Sequence, residues 1–255
     1  ESAPPPVDEA DTAQTNTDTL PSPQDKRDTD ISVRNDAGLS VNVDAMLNDP
    51  IDISVTADGS PQVLIYHTHS TEAYTPEGSD TYTASGDYRT RDTNQNVVRV
   101  GTELTDIFDD PAYNGSYGRS LTAAEQVLEQ YPDIAVTIDL HRDAILNNDG
   151  SQYRVATTLD GQEVAQLMLV IGTDASGLTH PNWRDNMNFA VNLQADLNGA
   201  YPDLMRDVNL RSQRFNTHLR SGSILLECGS SGNTLQEVIR AVKLFGNVLA
   251  DRLLA

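Results

Sequence analysis

The sequence predicts an α/β protein, an open three-layer sandwich with a mainly parallel sheet and helices on both faces. Three observations lead there. Val63-Leu64-Ile65-Tyr66, Ile134-Ala135-Val136-Thr137-Ile138 and Ile224-Leu225-Leu226 are short, apolar, β-branched-rich runs of buried-strand type. Segments of helical period lie between them. About 195 residues follow from Pro61 onward, fewer than the ~250 typical of a closed eight-fold βα barrel.

Residues 1–30 are rich in Pro, Asp, Thr and Gln. Such a segment cannot bury enough apolar surface to offset its ordering entropy, so it reads as a disordered acidic linker, a tether from an anchor. Residues 31–60 read as an N-terminal extension of possible edge strands: Ile31 and Val33, Val41 and Val43, then Ile51, Ile53 and Val55 recur at period 2. The catalytic-type domain spans 61–255. Asn96 to Phe108 carries Val97, Val100, Leu104 and Ile107 at helical spacing. Thr122 and Glu125 form a capping-box signature before Val127 and Leu128. Strands are expected over 134–140 and 166–171, and a helix over 184–199 with Phe189, Leu193 and Leu197 on one face. Thr234-Leu235-Gln236-Glu237 is a second capping box, opening a stripe of Leu235, Val238, Ile239, Val242, Phe245, Leu249 and Leu253.

The formal net charge of −21 repels nucleic acid and anionic lipid, which excludes both as expected partners. Cys228 is the single cysteine, so no intrachain disulfide forms. No run is long and apolar enough to span a bilayer. The chain opens with Glu1 rather than Met, and an anchor is expected upstream of it.

Each strand run ends in metal-binding residue types: His67-Thr68-His69-Ser70-Thr71-Glu72, Asp139-Leu140-His141-Arg142-Asp143 and Leu225-Leu226-Glu227. Parallel strands place the residues past their carboxyl ends in the ligand crevice. His69-x-x-Glu72 is a unit with two donors one tight turn apart, and His141 adds a second imidazole. Two imidazoles and a carboxylate make an open Zn2+ site, and Glu227 is the candidate base for its water. A lone His-x-x-Glu recurs by chance, and Glu227 alone reads as a capping or ion-pair residue; the conjunction of three strand ends favours the site. Side chains alternate along a strand, so His67 points where His69 points and is a rival ligand or a substrate contact. Arg142 reads as a clamp for a substrate carboxylate or oxyanion, or as an ion-pair partner of Asp139 or Asp143. Cys228 reads as a small buried strand residue. Gly229-Ser230-Ser231-Gly232-Asn233 lacks Lys and Walker spacing and reads as a loop and N-cap.

These motifs, in this order, resemble the stage II sporulation protein P family. The resemblance is carried by Val63 to Tyr74, Asn96-Val97-Val98-Arg99-Val100-Gly101, Tyr113-Asn114-Gly115-Ser116-Tyr117, Ile138 to Ala144, Asn182-Trp183-Arg184-Asp185-Asn186, Leu225-Leu226-Glu227-Cys228-Gly229 and Asn233-Thr234-Leu235-Gln236-Glu237. It covers Pro61 to the C-terminus. It implies an amidase and zinc-carboxypeptidase-like fold, and a zinc N-acetylmuramoyl-L-alanine amidase that degrades peptidoglycan during engulfment and also cuts peptide cross-links. It implies His69 and His141 as zinc ligands, Glu72 as the third, and Glu227 as the catalytic carboxylate. Beside the resemblance, Arg142 is expected as a catalytic group, and His67 and Asn233 on the substrate side. It also implies a membrane-anchored, extracytoplasmic protein working with sporulation proteins D and M. The chain departs from the family pattern after Phe108, where a shortened sheet edge is implied, and at Asn216-Thr217, where an Asn-Gln pair is usual. Two other functions remain: a non-catalytic wall-binding scaffold of the same fold, and a general zinc peptidase of carboxypeptidase type with Arg142 as its clamp.

Overall fold

The computed structural model describes residues 20–51, 53–56, 59–75, 88–108, 113–114 and 117–254. Its elements in chain order are β1 (Val33–Asn35), α1 (Val43–Asn48), β2 (Val63–His67), α2 (Val97–Phe108), β3 (Tyr113–Asn114), α3 (Tyr117–Gln130), β4 (Val136–Asp143), β5 (Ala156–Leu159), β6 (Gln162–Ala165), β7 (Leu167–Gly172), α4 (Trp183–Ala200), β8 (Val208–Arg211), β9 (Gly222–Ser230) and α5 (Leu235–Leu254). Seven strands form one sheet in the order β1-β8-β7-β9-β4-β2-β3, and β5 and β6 form a separate hairpin. Within the seven-stranded sheet, β7 against β9 is antiparallel and the other pairings are parallel. The expected mainly parallel, open α/β sandwich is therefore the fold observed.

Alternation along the strands divides the core. Val63 and Ile65, Val136, Ile138 and Leu140, and Ile224, Leu226 and Cys228 face one way, packed with residues of α2, α4 and α5 such as Leu104, Phe189 and Phe245. Leu64 and Tyr66 face the other way, against Ala124 and Leu128 of α3. Met168, Val170 and Leu225 share that second face and are covered by Phe215. Helices thus lie on both faces, unequally.

Several boundaries differ from expectation for local reasons. α3 begins at Tyr117, so Thr122 and Glu125 sit inside the helix and do not cap it. The capping box of α5 does form: Glu237 N–H donates to Thr234 Oγ1 and Thr234 N–H to Glu237 Oε2, both at 3.3 Å. Val33 lies on edge strand β1 as expected, but Val43 opens α1, where the Asn42 side chain accepts the Ala45 N–H. Ile51 and Ile53 pack against the core without joining a ladder. β3 is a two-residue edge beside β2, in keeping with a shortened sheet edge.

The linker expectation is corrected in part. Residues 1–19 lie outside the described residues. From Leu20 the chain lies along α4: Gln24 N–H donates to Ala200 O and Asp28 N–H to Ala195 O, each at 2.9 Å. Arg27 pairs with Asp196 at 3.2 Å. Polar composition did not forbid this packing, because the contacts are made mainly by the backbone and one arginine. Among the described residues no helix is long and apolar enough to cross a membrane.

Candidate metal centre

The site is set by two adjacent parallel strands. β4 and β9 pair with His141 opposite Glu227, so the two side chains neighbour each other on one sheet face. Ile138 and Leu140 point into the α2, α4 and α5 core, so Asp139 and His141 point to the opposite face. The ladder shifts register between His141 and Asp143, next to the site.

The two histidines of the first motif separate. β2 ends at His67 and residues 68–71 turn, so alternation does not carry on to His69. His67 shares parity with Val63 and Ile65 and enters the α2 side. It is wholly buried, its Nδ1 donates to Leu140 O at 3.1 Å, and a Cβ on Gly101 would collide with its Nε2. Burial lowers its pKa to about 4, so the ring is neutral. This corrects the reading in which His67 and His69 point alike. His69 instead meets His141 edge to face, with ring centroids 5.3 Å apart and planes at 88°.

Glu72 comes around the turn to the same place. Its Oε2 lies 3.6 Å from His141 Nδ1 and accepts the Arg142 N–H at 3.0 Å. Arg89 lies 3.8 Å from the other oxygen and donates to Thr71 Oγ1 at 3.2 Å. His141 Nε2 lies 3.0 Å from Asp139 Oδ1. Burial raises the Glu72 carboxyl, but hydrogen bonding and charge from His141 and the Arg142 N–H bring it below its ordinary value. Burial alone lowers His141, yet Asp139, Glu72 and Glu227 hold it well above its ordinary value. Glu227 is partly exposed, and its Oε2 is buried without a hydrogen-bond partner among the described residues. Burial is the main cause that pushes its carboxyl up to about 8.

Among the described residues no group of three or more His, Cys, Asp or Glu is closed around a point that would hold a metal ion. The donors are adjacent, and their chemistry fits zinc. Ligands at about 2.0–2.1 Å from a tetrahedral ion are about 3.4 Å from one another, close to the 3.6 Å between His141 Nδ1 and Glu72 Oε2. A carboxylate behind the other ring nitrogen is the usual support of a metal-bound imidazole. The raised His141 pKa is the mark of a ring surrounded by anions, where a cation would replace the proton.

Two assigned roles do not match the structure. Arg142 is buried, and its guanidinium donates to Ala73 O at 2.8 Å, Tyr88 O at 2.7 Å and Asp143 O at 3.3 Å. Three carbonyls occupy the fork, so it clamps the Glu72 segment rather than facing substrate. Neither ion pair proposed from sequence forms through it. Asn233 is buried as well. Its Nδ2 donates to Val155 O and Glu237 Oε2, each at 2.9 Å, and its Oδ1 accepts the Ser230 N–H at 2.9 Å. It ties the loop before α5 and offers nothing to a substrate. Cys228 is buried on β9, as expected.

Sequence reasoning missed Arg89, which lies beside Glu72 with its side chain 38% exposed, so that it faces the site from the solvent side. No local pattern marks it. Asp139 was legible, because a residue two positions before His141 on a strand shares its face.

The family model described as Stage II sporulation protein P (SpoIIP) matches residues 1–250. A curated relative, stage II sporulation protein P of Bacillus subtilis (strain 168), is 25% identical over 211 residues, which covers 74% of this chain and 50% of the relative. The chain thus spans about half the length of that relative. Among solved structures, N-acetylmuramoyl-L-alanine amidase from Clostridium difficile 630 overlaps with a TM-score of 0.43 at 12% identity, covering 78% of this chain and 99% of that one. N-acetylmuramyl-L-alanine amidase Ami1 from Mycobacterium smegmatis overlaps with a TM-score of 0.42 at 10% identity, covering 76% and 97%. Overlaps this low decide nothing about the chemistry of this chain.

Proposed function

The chain belongs to the stage II sporulation protein P family, and from that premise we propose that it is a zinc-dependent peptidoglycan hydrolase. It cleaves the amide between the muramic lactyl group and L-alanine, with peptide cross-links as further substrates, during engulfment. His69, Glu72 and His141 hold the metal. The observation that carries this reading is that His69 and Glu72 both lie against His141, which pairs with Glu227, whose buried Oε2 lacks a partner among the described residues.

Zinc bound there would polarise the scissile carbonyl and acidify a water. Glu227 does the proton work. Its carboxyl sits directly opposite His141 in the β4–β9 ladder and is partly exposed. The anion takes the proton of the attacking water, and the acid returns it to the leaving amine. A carboxyl with a pKa raised toward neutrality suits both halves of that cycle, and a nearby cation lowers it from the value set by burial. Arg89, 3.8 Å from Glu72, adds a positive charge beside the site. The zinc-peptidase alternative loses its clamp, since the Arg142 fork is taken by backbone carbonyls.

The protein acts outside the cytoplasm, held to the engulfing membrane by an anchor upstream of Glu1 and working beside sporulation proteins D and M. The test is digestion of purified sacculi by the zinc-loaded protein. Stem peptides should be released by the wild type, and release should fall about 10²-fold or more in Glu227→Gln while zinc is retained. Equal release by the variant would remove Glu227 from the reaction. Full activity after exhaustive chelation would remove zinc.

A further inference from the structure

We propose that the Arg142 side chain is a positioning element for Glu72, and that it couples the candidate metal centre to the segment Tyr88 to Thr90, which carries Arg89. This deepens the zinc reading above and rests on it only for its consequence in metal affinity.

Two segments meet beside the site. Glu72 and Arg89 form an isolated antiparallel bridge. Ala73 N–H donates to Tyr88 O at 3.2 Å, and Thr90 N–H donates to Thr71 O at 2.8 Å. A pairing this short is marginal without packing against it. Arg142 supplies the hold. Its Nε donates to Ala73 O and its Nη2 to Tyr88 O, so one planar fork spans both segments. Its Nη1 donates to Asp143 O, which fastens the fork to the end of β4. The main-chain N–H of the same residue donates to Glu72 Oε2 at 3.0 Å. On its other side the Glu72 segment meets α2, where Val97 N–H donates to Glu72 O at 2.9 Å.

Tyr88 shows that this hold carries a load. Its φ is 55°, in the left-handed region that residues with a side chain rarely adopt. Such a conformation persists where its surroundings over-determine it. The Tyr88 carbonyl accepts both the Ala73 N–H and Arg142 Nη2. Charge and position then predict opposite outcomes for the metal. The guanidinium is a positive charge one residue from Glu72 along the chain it binds. Charge alone repels a cation held by Glu72, so losing it should tighten zinc. Loss of the fork should instead loosen Glu72 and weaken zinc.

The experiment uses Arg142→Gln and Arg142→Lys, each also in a Glu72→Gln background. All keep the main-chain N–H at 142 and remove only the fork. Zinc affinity is read by chelator competition, and amide hydrogen exchange is read on the metal-free proteins. Arg142→Gln should bind zinc about 10–100-fold more weakly. Arg142→Lys keeps the charge without the fork and should lose affinity in the same sense. After Glu72→Gln neither change should weaken zinc further. In metal-free Arg142→Gln the Ala73 and Thr90 amides should exchange about tenfold faster or more, while the Ile171 amide inside the sheet follows global stability only. Tighter zinc in Arg142→Gln would overturn the proposal, as would a loss that persists in full after Glu72→Gln. Exchange that rises equally at Ala73, Thr90 and Ile171 would also overturn it. If Arg142→Gln does not fold, Arg142→Lys and wild type carry the test: zinc should slow exchange at Ala73 and Thr90 in wild type, and unchanged rates with zinc bound overturn the coupling. A wild type that binds no zinc would sink the zinc reading, and selective exchange in the metal-free variants would still decide the positioning role.

Discussion

Replacing Glu227 by glutamine should change how the stability of the metal-free domain depends on pH. Burial is the main cause that pushes this carboxyl from 4.5 to about 8. Between those values the folded state keeps a proton that the unfolded chain has released. The unfolded state then binds fewer protons, so stability falls as pH rises across the interval. The span from 4.5 to about 8 corresponds, at ~1.36 kcal/mol per pH unit, to a ceiling of about 5 kcal/mol. Partial exposure of Glu227 lets water reach the carboxylate and reduces this toward about 2–3 kcal/mol. His141 acts in the same sense, since its raised pKa gives stability that is full below 6.5 and lost as pH climbs through the folded value. His141 is present in both proteins, so the difference between them isolates most of the Glu227 contribution. Glutamine is neutral at every pH. Urea unfolding in chelator should therefore show a small gap at pH 4.5 that widens to about 2–3 kcal/mol in favour of Glu227→Gln at pH 8. Parallel pH profiles for the two proteins would refute the buried setting assigned to this carboxyl.

His141→Ala should abolish zinc binding, whereas His67→Ala should keep zinc and lose about 2–4 kcal/mol of stability, because it empties a buried space and one hydrogen bond; zinc loss in His67→Ala with retention in His141→Ala would reverse the ligand assignment. Asn233→Ala should cost about 2–4 kcal/mol in chemical denaturation with no change in KM, since its bonds are internal; a selective rise in KM would return it to the substrate side. A chain starting at Ile31 should be about 2–4 kcal/mol less stable than one starting at Leu20, from two backbone hydrogen bonds, the Arg27–Asp196 pair and apolar packing of Leu20. Identical melting temperatures would show that this segment adds nothing to the domain.

The layout of the sheet was legible because the buried strands are local signals. Val63 to Tyr66 and Leu167 to Ile171 are apolar runs of strand length, Val136, Ile138 and Leu140 recur at period 2, and each segment forms a strand. The α5 capping box was legible for the same reason, since its two partners are three residues apart. The pairing of His141 with Glu227 followed from the rule about strand ends. What failed depends on contacts between distant segments. The fork of Arg142 is claimed by carbonyls of Ala73 and Tyr88, and Asn233 by Val155. The face of His67 was misjudged by assuming that alternation continues past the end of β2. Leu20 to Asp30 looked like tether because composition registers side chains and not backbone donors that find α4.

Products formed from purified sacculi by the zinc-loaded protein, identified by mass spectrometry, bear on the proposal that His69, Glu72 and His141 hold zinc for amide hydrolysis driven through Glu227. Peptides with a new L-alanine amino end, matched by glycan carrying a free lactyl carboxylate, should accumulate with wild type and be absent with chelator or with His141→Ala. Glycan and peptide that stay joined at that amide, while zinc is bound and the fold intact, would contradict the account.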